Sequence, residues 1–130
     1  MALTVLPLLS KRMEGEFDVF ETLFETLEKN SEKLQEGDIL VISTKFISNS
    51  QGRIMDLSSV IPSARGKEIS ETYQLKPQIA EIIIRESDKI FGGIGGFVIT
   101  SSDNIMAPNA GIDKSNAKKV KQYYIQQILI

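Results

Sequence analysis

Between residues 97 and 107 two short runs of strand-forming residues, Phe97-Val98-Ile99-Thr100 and Ile105-Met106-Ala107, flank the turn-forming stretch from Ser101 to Asn104. That arrangement predicts a hairpin, and a hairpin needs further strands or a packed helix to be stable. A different period appears earlier. Phe17, Phe20, Phe24 and Leu27, with Leu23 beside them, recur at helical steps and predict a helix over 17–29 whose aromatic stripe faces the core and whose outer face carries Glu21, Glu25 and Glu28. Helix and hairpin signals in 130 residues predict one α+β domain, with a largely antiparallel or mixed sheet covered by about three helices.

The remaining elements follow from local signals. Ile39-Leu40-Val41-Ile42, behind the turn Gly37-Asp38, reads as a strand buried on both faces. Phe46-Ile47 and Arg53-Ile54-Met55 read as further extended pieces joined by a loop over 49–52. The expected sheet draws on segments near 39–47, 53–56, 97–100 and 104–107. Ser63 is a natural N-cap for a polar helix over 63–73, and Pro77 opens another to about residue 90 that turns Ile79, Ile82, Ile83 and Ile90 inward. The glycines of Gly92-Gly93-Ile94-Gly95-Gly96 follow a helix and precede a strand, the reverse of a dinucleotide fingerprint. They are expected to stop the helix and give flexible entry to the hairpin.

Composition limits the chemistry. With no Cys and no His there is no thiol nucleophile, disulfide, imidazole base or soft-ligand zinc site, so any metal must be bound through oxygen. A net charge of −2 argues against nucleic-acid binding, which draws its affinity from clustered Lys and Arg. Charge is uneven nonetheless: nine acids lie between Glu14 and Asp38, and four Lys with no acid between Lys114 and Ile130. No apolar run approaches a bilayer span, and Ala2 to Leu9, interrupted by Pro7, lacks the charge and length of a secretory signal. A cytoplasmic protein without membrane partners is the expectation.

Two polar clusters are candidates for chemistry. Ser43 to Arg53 gathers hydroxyls, a Lys and an Arg that suit an anion. Pro108-Asn109-Ala110-Gly111-Ile112-Asp113-Lys114-Ser115-Asn116 joins a turn to a carboxylate and a carboxamide. Asp113 suits part of a Mg or Mn site, and a helix N-cap at Asp113 or Ser115 is the structural alternative.

These residues, taken with Leu6-Pro7-Leu8, Gly37-Asp38-Ile39-Leu40-Val41, Ile47-Ser48, Gln51-Gly52-Arg53, Pro62-Ser63 and Glu86-Ser87, fall in an order that resembles the coenzyme F420-0:gamma-glutamyl ligase family. The resemblance runs from about residue 5 to 116, and Asn-Ala-Gly-Ile-Asp-x-Ser-Asn is its most specific motif. It implies a GTP- and divalent-metal-dependent ligase that activates a carboxylate by phosphoryl transfer and joins L-glutamate to a deazaflavin coenzyme. Carried over by position, Leu6, Pro7, Leu8, Leu9, Thr44, Lys45, Asn49 and Asn116 bind the nucleotide, and Asp113 binds Mg or Mn. Arg53 is structural or anion-facing.

The chain departs from the family at Asn49 and Gln51, which stand where Lys and Glu are usual. In an extended segment Lys45 would lie on the same side as Asn49. Family members also continue past the Ser-Asn motif into a second half with further metal ligands. The expected organisation is therefore an N-terminal ligase-like domain over 1–116 and a Lys-rich amphipathic or extended tail over 117–130. A homodimer is expected, with Tyr123, Tyr124, Ile125, Ile128 and Ile130 as candidate contacts and packing onto their own domain as the alternative; a partner chain is the candidate supplier of the missing half. A non-catalytic homologue serving interaction or regulation is the alternative function.

Overall fold

Local chemistry accounts for three of the α-helix starts in the computed structural model, which describes residues 3–13, 15–113 and 122–125. Helix α1 (Val19–Lys29) starts where the Asp18 carboxylate accepts from the Glu21 amide. Helix α2 spans Thr44–Ser50 and strand β1 spans Ile54–Asp56. Ser63 caps α3 (Ala64–Thr72) by accepting from the Gly66 amide, and Pro77 occupies the first turn of α4 (Pro77–Arg85). Strands β2 (Lys89–Ile94), β3 (Phe97–Ser102), β4 (Ile105–Pro108), β5 (Ile112–Asp113) and β6 (Gln122–Ile125) follow. The result is an α+β fold, as the sequence predicts. Among the described residues no helix is long and apolar enough to cross a membrane.

The chain divides into two compact units, Met1–Gly52 and Arg53–Ile130. The second contains two antiparallel three-stranded sheets, ordered β1-β6-β5 and β2-β3-β4, where the sequence suggested one. The β3–β4 hairpin is as expected. Its tip, Asp103-Asn104, has φ of 49° and 64°, the left-handed pair that matches the twist of a tight hairpin. The core joins Leu57, Val60, Ile79, Ile82, Ile83, Val98 and Ala110, so one face of α4 packs on the inward face of β3.

The glycine stretch differs from its prediction. Helix α4 ends at Arg85, and Ile90, Gly92 and Gly93 lie inside β2, where the register shifts between Ile90 and Gly92. Gly92 takes φ 137°, and a Cβ at Gly93 would run into the Phe97 carbonyl. These glycines permit a bulge and a close strand approach instead of ending a helix.

Three expectations fail in the Met1–Gly52 unit. Phe20 and Phe24 are 71% and 62% exposed; Leu27 of the stripe is buried as expected, together with Thr22 and Thr26. Thr26 can be buried because its hydroxyl donates to the Thr22 carbonyl at 2.7 Å, which removes the desolvation cost. Residues 39–42 form no strand, and Ile39 and Val41 are 87% and 88% exposed, because the described part of this unit offers them no ladder partner. Thr44–Ser50 is a helix despite its β-branched residues. The Phe46 ring meets Phe17 edge-on at 4.9 Å, and the Ser48 and Ser50 hydroxyls donate to the helix's own carbonyls.

Urea denaturation separates the two apolar classes. Ile82→Ala, in the closed core, should cost about 3 kcal/mol, whereas Phe20→Ser should change stability by less than about 0.5 kcal/mol. A large loss from Phe20→Ser would restore the aromatic stripe to the core.

Candidate functional site

In the Met1–Gly52 unit the N-terminal segment is tied to the helices at several points. Lys11 pairs with Glu25 at 2.9 Å, the Asn30 carboxamide donates to the Leu9 carbonyl, and the Asn49 carboxamide donates to the Met13 carbonyl at 3.2 Å. These ties leave a cleft of about 240 Å³ lined by Leu8, Ser10, Leu23, Thr26, Leu40, Val41, Ile42, Ser43 and Phe46. The sequence-predicted residues gather here only in part. Leu8 lines the cleft, and Thr44 and Lys45 follow its wall residue Ser43. Leu6, Pro7 and Leu9 point largely to solvent. Asn49 and Lys45 lie four residues apart on helix α2, so they share a face for a helical reason rather than the extended one expected.

Asp113 belongs to the Arg53–Ile130 unit, and the preceding turn explains the motif around it. Asn109, Ala110 and Gly111 have φ of 48°, 53° and 72°, three left-handed residues in succession. For a residue with a Cβ that conformation costs roughly 1–2 kcal/mol, least for Asn and none for Gly. Compensation comes from β3. The Asn109 carboxamide oxygen accepts from the Val98 amide at 3.0 Å, as a strand carbonyl would, and the Ala110 amide donates to the Thr100 hydroxyl at 3.0 Å. Ala110 is 9% exposed, so its methyl fills the available room. The chain then enters β5, where half-buried Asp113 pairs with Tyr124 in the ladder. Ser115 and Asn116 lie outside the described residues, as do Ile128 and Ile130.

Other motif residues serve the framework. Arg53 forms an ion pair with Glu86 at 2.5 Å, which joins the Gly-Arg and Glu-Ser motifs across 33 residues. The buried carboxylate of Glu81 accepts from both the hydroxyl and the amide of Ser63 and from Arg85, locking the start of α3 to α4. Sequence reasoning missed Glu81 and Thr100, since an isolated Glu or Thr carries no local signal of its distant partner. Among the described residues no group of three or more acidic side chains is placed to hold a metal, so Asp113 provides at most one ligand of a shared site. A larger, shallower apolar hollow on the β2–β3 hairpin, about 500 Å³, is lined by none of the motif residues.

Comparison with known proteins gives a consistent result. The profile of F420-0:gamma-glutamyl ligase matches residues 9–125. The chain is 34% identical over 88 residues to the coenzyme F420:L-glutamate ligase of Methanopyrus kandleri, covering 67% of this chain and 35% of that protein. It is 31% identical over 100 residues to the ligase of the same name from Methanothermobacter thermautotrophicus, covering 76% of this chain and 40% of that protein. With the Methanocaldococcus jannaschii ligase it shares 30% identity over 87 residues. The matched part thus spans between one third and two fifths of the relatives' length.

The Glu81 network sets a pH dependence. The Ser63 hydroxyl first, then the Ser63 amide and Arg85, hold the Glu81 carboxyl below its usual value against the opposing effect of burial. Its contribution to stability is therefore complete above the ordinary carboxylate range, near pH 4.3, and is lost as pH falls through the lowered folded value. Glu81→Gln should lower the melting temperature at pH 7, and the gap to wild type should narrow in acid. A gap independent of pH would contradict the assignment.

Proposed function

Because the chain belongs to the F420-0:gamma-glutamyl ligase family, we propose that it takes part in GTP- and divalent-metal-dependent addition of L-glutamate to a deazaflavin coenzyme. The observation that carries this reading is the cleft bounded by Leu8, Ser43 and Phe46, because Leu8 lines it and its wall residues Ser43 and Phe46 flank Thr44 and Lys45 in the chain. Its apolar wall suits a base or ribose face, and Thr44 and Lys45 offer a hydroxyl and a cation for phosphate. Asp113 would supply a hard oxygen ligand to Mg or Mn, whose remaining ligands come from water, substrate phosphate and other protein groups. The metal would neutralise charge on the transferred phosphoryl group. The chain's own residues would position the nucleotide and the acceptor carboxylate: a carboxylate oxygen takes the γ-phosphoryl group as the bond to GDP breaks, and the glutamate amine then attacks the acyl carbon of that mixed anhydride, losing a proton as inorganic phosphate leaves.

The whole reaction needs more than this chain's described residues supply. We propose that a second copy or a partner chain completes the site. Exposed apolar side chains on the Met1–Gly52 unit, among them Leu9, Phe20, Phe24, Ile39 and Val41, support a self-associating surface. Sedimentation at micromolar concentration should show a dimer, and a monodisperse monomer would contradict it.

One observation favours a second reading, a non-catalytic homologue acting in interaction or regulation. The Asn49 carboxamide, where the family usually has Lys, is spent on the Met13 carbonyl. Calorimetric titration of GTP with Mn into the full chain decides between the readings. The ligase reading expects binding that Asp113→Ala abolishes and that Asn49→Lys tightens about tenfold by a charge-assisted contact. No binding by wild type or by Asn49→Lys would leave the non-catalytic reading.

A further inference from the structure

We propose that Thr100 is a positioning residue for Asp113, its one buried hydroxyl holding the left-handed Asn109–Gly111 turn in the shape that sets the direction of β5. The inference rests on the reading of Asp113 as a metal ligand and adds to it the group that fixes where that ligand sits.

Thr100 is 1% exposed in the central strand of its sheet, paired through the backbone with Ile90 on one side and Ala107 on the other. Its backbone register is thus already occupied, and its hydroxyl does something separate. That oxygen donates to the Ala107 carbonyl at 2.8 Å and accepts from the Ala110 amide at 3.0 Å. One atom therefore bridges the end of β4 and the middle of the turn. Two residues earlier on the same face, the Val98 amide holds the Asn109 carboxamide. β3 grips the turn at two points. From Ala110 only Gly111 and Ile112 intervene before Asp113, and β5 is taken up by its ladder with β6, so the turn and that ladder together set where the Asp113 carboxylate sits.

A purely packing role makes the opposite prediction. At a fully buried strand position Val has nearly the shape of Thr and suits a strand equally well, so Thr100→Val would then be harmless or stabilising. In the positioning role the same substitution leaves the Ala110 amide without its acceptor, takes the hydroxyl away from the Ala107 carbonyl and frees the turn.

The test uses the full chain as wild type, Thr100→Val, Thr100→Ser and Asp113→Ala, with hydrogen exchange at the Ala110 amide and affinity for Mn alone as readouts. Thr100→Val should lose Ala110 protection and bind Mn at least about tenfold more weakly, while Thr100→Ser keeps both within about twofold. A folded Thr100→Val with wild-type protection and affinity would overturn the proposal. So would loss of either property in Thr100→Ser, which remains informative if the valine variant does not fold. Wild type that fails to bind Mn, or binds it as Asp113→Ala does, overturns the metal reading alone. The carboxyl carbon resonance of Asp113 then decides: it should shift in Thr100→Val, and an unmoved resonance contradicts positioning by Thr100.

Discussion

Strand β3 is the constraint on which the Arg53–Ile130 unit depends. Its inward residues Val98 and Thr100 are almost wholly buried, one in the apolar cluster that holds the α4 isoleucines and the other with its hydroxyl engaged twice. The strand has hydrogen-bonded neighbours on both sides, and its backbone and side chains also hold the turn that follows β4. Packing and polar satisfaction thus converge on a few residues, which is where a small sheet gains a unique register.

This arrangement separates two meanings of a motif. Asn109, Ala110 and Gly111 are explained by backbone geometry: a carboxamide that imitates a strand carbonyl, a methyl that fits a closed space, and a glycine that accepts positive φ. Ser63 and Arg53 are similarly explained by Glu81 and Glu86. Strain held next to a candidate ligand is a familiar feature of sites whose geometry must be fixed before the ligand arrives.

Elements determined by nearby residues were legible in the sequence. The β3–β4 hairpin, the Ser63 cap and the Pro77 start depend on residues a few positions apart, and all three are found where expected. The misread segments depend on what lies against them. Ile39 to Ile42 needs a strand partner to be a strand, the Phe20–Phe24 stripe needs a cover to be core, and Gly93 is explained only by the Phe97 backbone opposite it. Leu8, which lines the cleft of one unit, and Asp113, which follows the left-handed turn of the other, sit in local motifs that were legible in the sequence. Thr100 was not, since its role lies in a hydroxyl ten residues away from the amide it receives.

We propose that β3 holds a strained turn so that Asp113 would present its carboxylate to a hard cation. A crystal structure of the full chain grown with Mn, with anomalous data collected, tests it most directly. The account predicts an anomalous peak within bonding distance of the Asp113 carboxylate, with Asn109 and Ala110 at positive φ and the Thr100 hydroxyl between Ala107 and Ala110. Density for Mn elsewhere, or an Asn109–Gly111 segment with ordinary negative φ, would contradict it.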